Sequence, residues 1–167
     1  MIDSLFEALK KGDDAAAREL LQADRSLANA ENAEGLTALG YAAHYGHQGA
    51  VRTLLEFGAD VNAVSHSRVS YIPSNTALHA AIAGERSVAV IQLLLEHNAR
   101  TDIFDSNGHT CLHTAAFHDD NTALIELLLR YGADLNAKQD GGAAPLSIAA
   151  GQGNEQVAEL LRSKGAE

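Results

Sequence analysis

Histidine and cysteine are the side chains of this 167-residue chain that could do metal or nucleophilic chemistry, and it has eight histidines and one cysteine. His44 and His47 are three residues apart, a spacing at which two side chains on one helix face can share a ligand. A metal site needs three or four converging ligands, and no carboxylate or third histidine lies at a useful spacing from this pair. The pattern therefore favours a structural role over a metal site.

A second group of chemically active side chains lies close together along the chain: His109, His113, His118, Asp119 and Asp120. On a helix, His118 would point about 140° away from His113, so the two rings do not converge. Cys111 lies two residues before His113, and side chains two apart on a helix diverge. A cysteine nucleophile would need a base that a third group holds in place, and the pattern offers none. The sequence therefore predicts no catalytic residue and no cofactor.

The composition is typical of a globular domain with an acidic surface. Hydrophobic residues make up 46% and charged residues 20% of the chain, and 12 Lys and Arg against 22 Asp and Glu leave a formal charge of -10. A charge of this sign repels phosphate backbones and anionic lipid headgroups. Nucleic acid and membranes are therefore not expected as partners.

Cysteine usage and the amino terminus suggest a compartment. Cys111 is a single cysteine and cannot form an internal disulfide, which fits a reducing environment. The amino terminus has acids within its apolar part and no basic start, unlike a secretory signal. No stretch approaches the roughly 20 apolar residues that span a bilayer. The sequence therefore predicts a soluble cytoplasmic protein, which we expect to be a monomer.

A short sequence element recurs along the chain. Its copies start at residues 3, 37, 76, 110 and 144, so the steps are 34, 39, 34 and 34 residues. Four of the copies continue into a second apolar stretch that ends in Gly-Ala or Asn-Ala. A fixed period of this length indicates a repeat protein whose units stack on one another.

The repeated element resembles the ankyrin repeat. That family's signature combines Gly-x-Thr-Pro-Leu-His and a double alanine with a leucine block and Gly-Ala-Asp-Val-Asn. Gly35 to Thr37 with Gly58 to Asn62 echoes it, as does Gly108 to Thr110 with Gly132 to Asn136. The resemblance covers essentially the whole chain. It implies an all-α solenoid of helix-turn-helix units with short β-hairpin or loop fingers.

The resemblance implies a single ankyrin-repeat domain over residues 1–167, built of five repeats. We expect these repeats at about 3–33, 34–66, 67–104, 105–138 and 139–167, with the first and last acting as N-terminal and C-terminal caps. No repeat of this kind buries its own apolar face, so stacking must supply the stability.

Particular side chains are expected to shape each repeat. The residue types that accept a backbone N–H at a helix start occur at Asp3, Thr37, Thr76 and Thr110. Ala144 holds the same position in the last repeat and cannot accept one. Asn98 replaces the glycine that ends the second helix in the other repeats. The resemblance also implies that His79 and His113 brace adjacent repeats through hydrogen bonds.

Oppositely charged residues stand four apart at helix-pairing distance, and those on the second helices are expected mainly to solvate that face. The pairs are Asp14 with Arg18, Arg52 with Glu56, and Glu126 with Arg130.

One finger is longer than the others. Asn62 and Thr76 are 14 residues apart, whereas the corresponding distance elsewhere is 8, so six extra residues lie within 64–74. Insertions in repeat proteins fall in loops on one face, which is often the binding face. The alternative is a loop extension that only packs on the fold, since a longer loop costs little closure entropy.

The resemblance implies that partners contact the finger tips and the exposed ends of the first helices, which line a concave groove. Together with the long finger, it gives these partner-binding residues: Leu36, His44, Tyr45, Arg68, Tyr71, Ile72, Asn75, Phe104, His109, Phe117 and His118. The aromatic members are expected to be energetic anchors. For Phe104, packing between neighbouring repeats is an equal alternative.

The sequence thus predicts a non-catalytic scaffold or adaptor that binds a partner protein through its groove and fingers, without a metal or cofactor. The alternative is a metal-binding or small-ligand-binding protein that uses the groove histidines. Zinc uptake lost on changing His44, His47 or His118 would favour that alternative.

Overall fold

The computed structural model describes residues 1–138 and 142–167, and this part of the chain contains ten α-helices. They are α1 (Ile2–Lys11), α2 (Asp14–Ala23), α3 (Ala38–His44), α4 (Gln48–Glu56), α5 (Ala77–Ala83), α6 (Val88–Glu96), α7 (Cys111–His118), α8 (Thr122–Arg130), α9 (Pro145–Gln152) and α10 (Glu155–Ser163). A short 3-10 helix, Arg25–Asn29, follows α2. The predicted all-α repeat fold is confirmed. Residues 139–141, with which the fifth repeat is expected to begin, lie outside the described residues.

The fingers contribute little regular β-structure. Within the described residues, the strand-type pairing is one isolated antiparallel bridge between Glu31 and Thr37. The fingers are therefore turns and loops held mainly by local hydrogen bonds.

The chain divides into two compact units, residues 1–99 and 100–167. In the first unit α1 packs on α3 and α3 on α5, while α2 packs on α4 and α4 on α6. In the second unit α7 packs on α9 and α8 packs on α10. Each unit therefore consists of helix pairs whose first and second helices stack in separate layers.

The core of each compact unit is aliphatic. Leu9, Leu54 and Leu94 are fully buried in the first unit, and Leu112 and Leu128 in the second. Full burial of one such side chain stabilises the fold by roughly 1.5–3 kcal/mol. No helix among residues 1–138 and 142–167 has the length and apolar character needed to cross a bilayer.

The helix starts agree with the sequence in part. Thr37, Thr76 and Thr110 are the N-cap residues of α3, α5 and α7. The Thr37 hydroxyl accepts the Gly40 N–H at 3.0 Å. The expectation for Asp3 was wrong: α1 begins at Ile2, and the Leu5 N–H donates to the Met1 carbonyl at 3.0 Å. Asp3 therefore lies inside the first turn, where its negative charge interacts favourably with the positive end of the helix dipole.

The ends of the second helices follow the prediction. Asn98 has a φ of 68°, in the same left-handed region as Gly58 and Gly132. Asparagine tolerates this conformation better than other residues with a side chain, so it replaces glycine here.

The charged residues noted at four-apart spacing in the sequence do not pair with one another among the described residues, and Arg52, Glu56, Glu126 and Arg130 are exposed, as expected for a solvated face. The Arg18 guanidinium donates instead to the Glu56 carboxylate at 2.7 Å and to the Thr53 hydroxyl at 3.2 Å. Asp14 lies against Gly49 at the start of α4. Arg52 forms no ion pair within the described residues, and neither does Glu126 with Arg130. Because α2 packs on α4, Arg18 pairs with a carboxylate of the next repeat and not with an acidic residue of its own helix.

Candidate functional site

Tyr45, in the first compact unit, lies in an aromatic cluster at the end of α3. Its ring meets Tyr41 and His44 edge-on, at centroid distances of 5.1 Å each, and stacks on His47 at 6.4 Å. The Lys10 ammonium lies 5.9 Å from the Tyr45 centroid. The ring is half-buried. Part of the Tyr45 ring therefore packs within the chain, and the rest is exposed to solvent.

Tyr41 belongs to this cluster, and sequence reasoning missed it. Its ring lies 5.0 Å from that of Phe6, and burial and the neighbouring Tyr45 raise its pKa to about 12. The hydroxyl therefore stays protonated at neutral pH. Its position four residues before Tyr45 places both rings on one helix face, and this spacing could have identified it.

His44 and His47 do not share a helix face. His44 ends α3 and is exposed, whereas His47 is the N-cap residue of α4 and its Nε2 lies 2.9 Å from the Lys10 carbonyl. Across residues 1–138 and 142–167, no group of three or more His, Cys, Asp or Glu side chains is arranged to hold a metal ion.

The first finger is a tight turn next to Leu36. The Asn32 side chain accepts the N–H groups of Glu34 and Leu36, both at 3.0 Å. Gly35, which follows the turn residues Ala33 and Glu34, is buried and has a φ of 79°. Leu36 is half-buried, so only part of its side chain is available to a partner.

The long finger packs against the first finger. The N–H of His66 donates to the Gly35 carbonyl at 2.9 Å, and that of Arg68 donates to the Glu34 carbonyl at 2.8 Å. The two backbones approach so closely that a Cβ on Gly35 would lie 1.9 Å from the His66 carbonyl oxygen. The base of the insertion is therefore part of the folded structure.

The tip of the long finger remains open. Tyr71 is 85% exposed, and Ile72 is half-buried. Arg68 is exposed, and its Nη1 donates to the Ala33 carbonyl at 3.2 Å. Asn75 donates its N–H to the Ser65 hydroxyl at 3.0 Å and accepts the Ser65 N–H through its carbonyl. Asn75 thus closes the loop, whereas Tyr71 and Arg68 face solvent.

Phe104 and His109, in the second compact unit, flank His113. The His109 ring stacks on His113 at 5.5 Å, and the Phe104 ring lies tilted at 6.4 Å from it. Phe104 is nevertheless 42% exposed. Both of the roles considered for Phe104 are compatible with this position, because one part of the ring packs and another is open.

Phe117 and His118 lie at the exposed end of α7. Phe117 is 45% exposed, and its ring meets that of His118 edge-on at 5.1 Å. The Asn154 side chain donates to the Ala116 carbonyl at 2.8 Å, which fixes this end of the helix. The structure thus presents an aromatic side chain on a firmly held backbone.

His113 is a buried brace between the fourth and fifth repeats. Its Nε2 lies 2.9 Å from the Ala143 carbonyl, and its Nδ1 lies 3.1 Å from the Thr110 nitrogen. These contacts assign the proton to Nε2, which donates, while Nδ1 accepts. Burial lowers the pKa of His113. The structural role expected for His113 is confirmed.

The ankyrin-repeat family, described as ankyrin repeats in three copies, matches residues 3–65, 66–139 and 104–167. The chain belongs to this family. A comparison with curated proteins finds no match. Ankyrin repeats are generally protein-protein interaction modules and are typically non-catalytic.

Cys111 occupies the first turn of α7 in this ankyrin-repeat protein. The thiol is buried, with Sγ 3.6 Å from the Thr101 carbonyl, and burial raises its pKa to about 12. Thiolate is the reactive form of cysteine, so this side chain behaves as a small apolar residue at neutral pH.

The predicted partner-binding residues of the ankyrin repeats form groups within each compact unit. The first unit has a helix-end group, His44 and Tyr45, and a finger group, Leu36, Arg68, Tyr71, Ile72 and Asn75. The second unit has Phe104 with His109, and Phe117 with His118. The most exposed apolar members are Tyr71 and Phe117.

Proposed function

We propose that this ankyrin-repeat protein is a non-catalytic scaffold or adaptor that binds a partner protein through the exposed ends of its first helices and its fingers. We further propose that it acts in the cytoplasm as a monomer. The observation that carries the proposal is the exposure of aromatic side chains at these positions. Tyr71 is 85% and Phe117 is 45% exposed, and neither belongs to the buried core.

Aromatic side chains are scarce here, which makes their placement informative. They account for 5% of the residues, and tryptophan is absent. Phe6 is buried and Tyr41 half-buried, but Phe104 and Phe117 remain open. Tyrosine and phenylalanine bury large surfaces with few rotatable bonds, so they are effective interface anchors.

The backbone around the anchors supports the same function. Asn154 fixes the end of α7 beside Phe117, and backbone bonds to Glu34 and Gly35 fix the base of the long finger. An interface that is ordered before binding loses less conformational entropy when the partner arrives.

Cross-linking after affinity capture tests the proposal. The full chain is immobilised, exposed to extract of its native cell and cross-linked, and the joined peptides are located by mass spectrometry. We expect the cross-links of a specific partner to cluster around the ends of α3 and α7 and the fingers. Cross-links confined to α2, α4, α6, α8 and α10 would contradict the proposed surface, and the absence of any specific partner would contradict the function.

A further inference from the structure

The long finger, residues 65–75, is held at its base and open at its tip. Two bonds join it to Glu34 and Gly35 of the first finger, and others join Ser65 to Asn75 within the loop. The Ser67 N–H also donates to the Ser74 hydroxyl at 3.0 Å. Because these bonds already order the backbone, a ligand at the tip does not have to immobilise it.

Tyr71 is the most exposed large apolar side chain among the described residues. It lies in a turn that the Ile72 N–H closes by donating to the Val69 carbonyl at 3.1 Å. With 85% of its surface in solvent, the ring contributes little burial to the fold. Its apolar face is therefore available to a ligand.

Arg68, three residues earlier, supplies a fixed positive charge. Its guanidinium donates to the Ala33 carbonyl and forms no ion pair within the described residues. Lys11 and Arg18 of the same compact unit do pair with carboxylates. A guanidinium has five N–H donors, so Arg68 keeps donors for a ligand after bonding to Ala33.

We infer that the long finger binds an acidic and apolar segment of the partner protein, with an Asp or Glu carboxylate on the Arg68 guanidinium and an apolar side chain against the Tyr71 ring. The inference rests on the proposed function and adds the chemistry of the partner. A carboxylate accepts two parallel N–H bonds from a guanidinium, which gives geometric specificity. Glu31 is hydrogen-bonded to the His66 ring at 2.6 Å and does not occupy Arg68.

The net charge of the compact unit around the long finger excludes one other explanation for a preference for acidic peptides. Residues 1–99 contain 7 Lys and Arg and 12 Asp and Glu, so their net charge is negative. At long range this unit repels an acidic segment. Recognition must therefore come from direct contact with Arg68, and selection of acidic peptides cannot be explained by the overall field.

Selection from a random peptide display library tests the inference with the full chain as target. We expect the selected peptides to be rich in Asp or Glu beside apolar residues. Arg68→Gln and Tyr71→Ala should each weaken their binding by about tenfold or more, the effect of losing an interface anchor. Arg68→Lys should bind these peptides more tightly than Arg68→Gln but less tightly than wild type, since lysine keeps the positive charge but cannot form two parallel N–H bonds to a carboxylate.

Matched controls separate contact from net charge. Arg52→Gln removes an exposed arginine on α4 of the same unit and should leave peptide affinity unchanged. Thermal unfolding should show that Arg68→Gln remains folded. Selection of basic or neutral peptides, equal losses for Arg68→Gln and Arg52→Gln, or no selection above background would overturn the inference. The proposed function would still stand if the cross-linked partner contacts the ends of α3 and α7.

Discussion

The Nε2 of His113 lies 2.9 Å from the carbonyl oxygen of Ala143, thirty residues further along the chain. This bond joins the fourth repeat to the backbone just before α9. The other ring nitrogen accepts the Thr110 N–H at 3.1 Å, so the neutral ring satisfies a donor and an acceptor at once. His113 thus links the start of α7 to the start of α9.

Replacement of His113 by leucine should destabilise the protein. Leucine has a similar size but leaves the Ala143 carbonyl and the Thr110 N–H without this partner. We expect a loss of about 1–2 kcal/mol in the free energy of unfolding, the usual cost of leaving a buried donor unpaired, because Thr110 is buried although Ala143 is exposed. Urea unfolding measures it, with His44→Leu as the exposed control. Equal stability of His113→Leu and wild type would show that the bond adds nothing.

His113 should also make stability depend on pH. Burial lowers its pKa below the ordinary value of 6.5; the nearby charge of His109 lowers it further, and bonding to Ala143 and the charge of Asp105 oppose these shifts. As pH falls below about 6.5, the unfolded chain binds a proton that the native state resists. The stabilisation is therefore present above the unfolded pKa and is lost as pH falls.

Urea unfolding from pH 7 to pH 5 measures this effect. The free energy of unfolding should fall more steeply for wild type than for His113→Leu, because the variant lacks the group. Parallel curves would show that other groups govern the acid sensitivity.

Gly35→Ala should be much more costly than Gly58→Ala. Both glycines have positive φ, 79° and 94°, so both changes carry the left-handed penalty of about 1–2 kcal/mol. A Cβ on Gly35 would also lie 1.9 Å from the His66 carbonyl oxygen, whereas Gly58 has no neighbour within 4 Å of that position. The excess loss for Gly35→Ala, measured by thermal or urea unfolding, should exceed about 1 kcal/mol. A cost no larger than that of Gly58→Ala would mean that the long finger does not hold its contact with the first finger.

Ala144→Thr should stabilise the last repeat. Ala144 is the N-cap residue of α9 and offers no side-chain acceptor, but its φ and ψ of -83° and 163° nearly equal the -80° and 173° of Thr110. Threonine therefore fits the backbone, and the added cap should contribute about 1 kcal/mol. The urea midpoint should rise at an unchanged m-value. Destabilisation would instead indicate that the buried site has no room for the added atoms.

Local features of the fold were predictable because they depend on residue type and spacing. Thr37 and Thr76 cap helices, and Asn98 takes the left-handed conformation, as the sequence indicates. Asp3 was misplaced because the helix start depends on which backbone groups find partners, and Met1 already supplies the first acceptor.

Contacts between repeats were less predictable. Arg18 has acidic residues near it in the sequence, yet it pairs with Glu56, which stacking of α2 on α4 brings close. The bonds from the long finger to Glu34 and Gly35 join distant backbone groups and leave no side-chain signature. The sequence indicated which aromatic side chains belong to the candidate site. It did not indicate how much of Tyr45 is buried, because that depends on contacts with residues outside its own helix.

The affinity of the captured partner for the Phe117→Ala variant is the most direct test of binding through the exposed ends of the first helices. Tyr131→Ala is the matched control, because Tyr131 is also exposed but lies at the end of α8, a second helix. Circular dichroism should show a native fold for both. Isothermal titration should show a loss of about 2 kcal/mol in binding free energy for Phe117→Ala and little change for Tyr131→Ala. Unchanged affinity for Phe117→Ala, or equal losses for the two variants, would contradict binding through the exposed ends of the first helices.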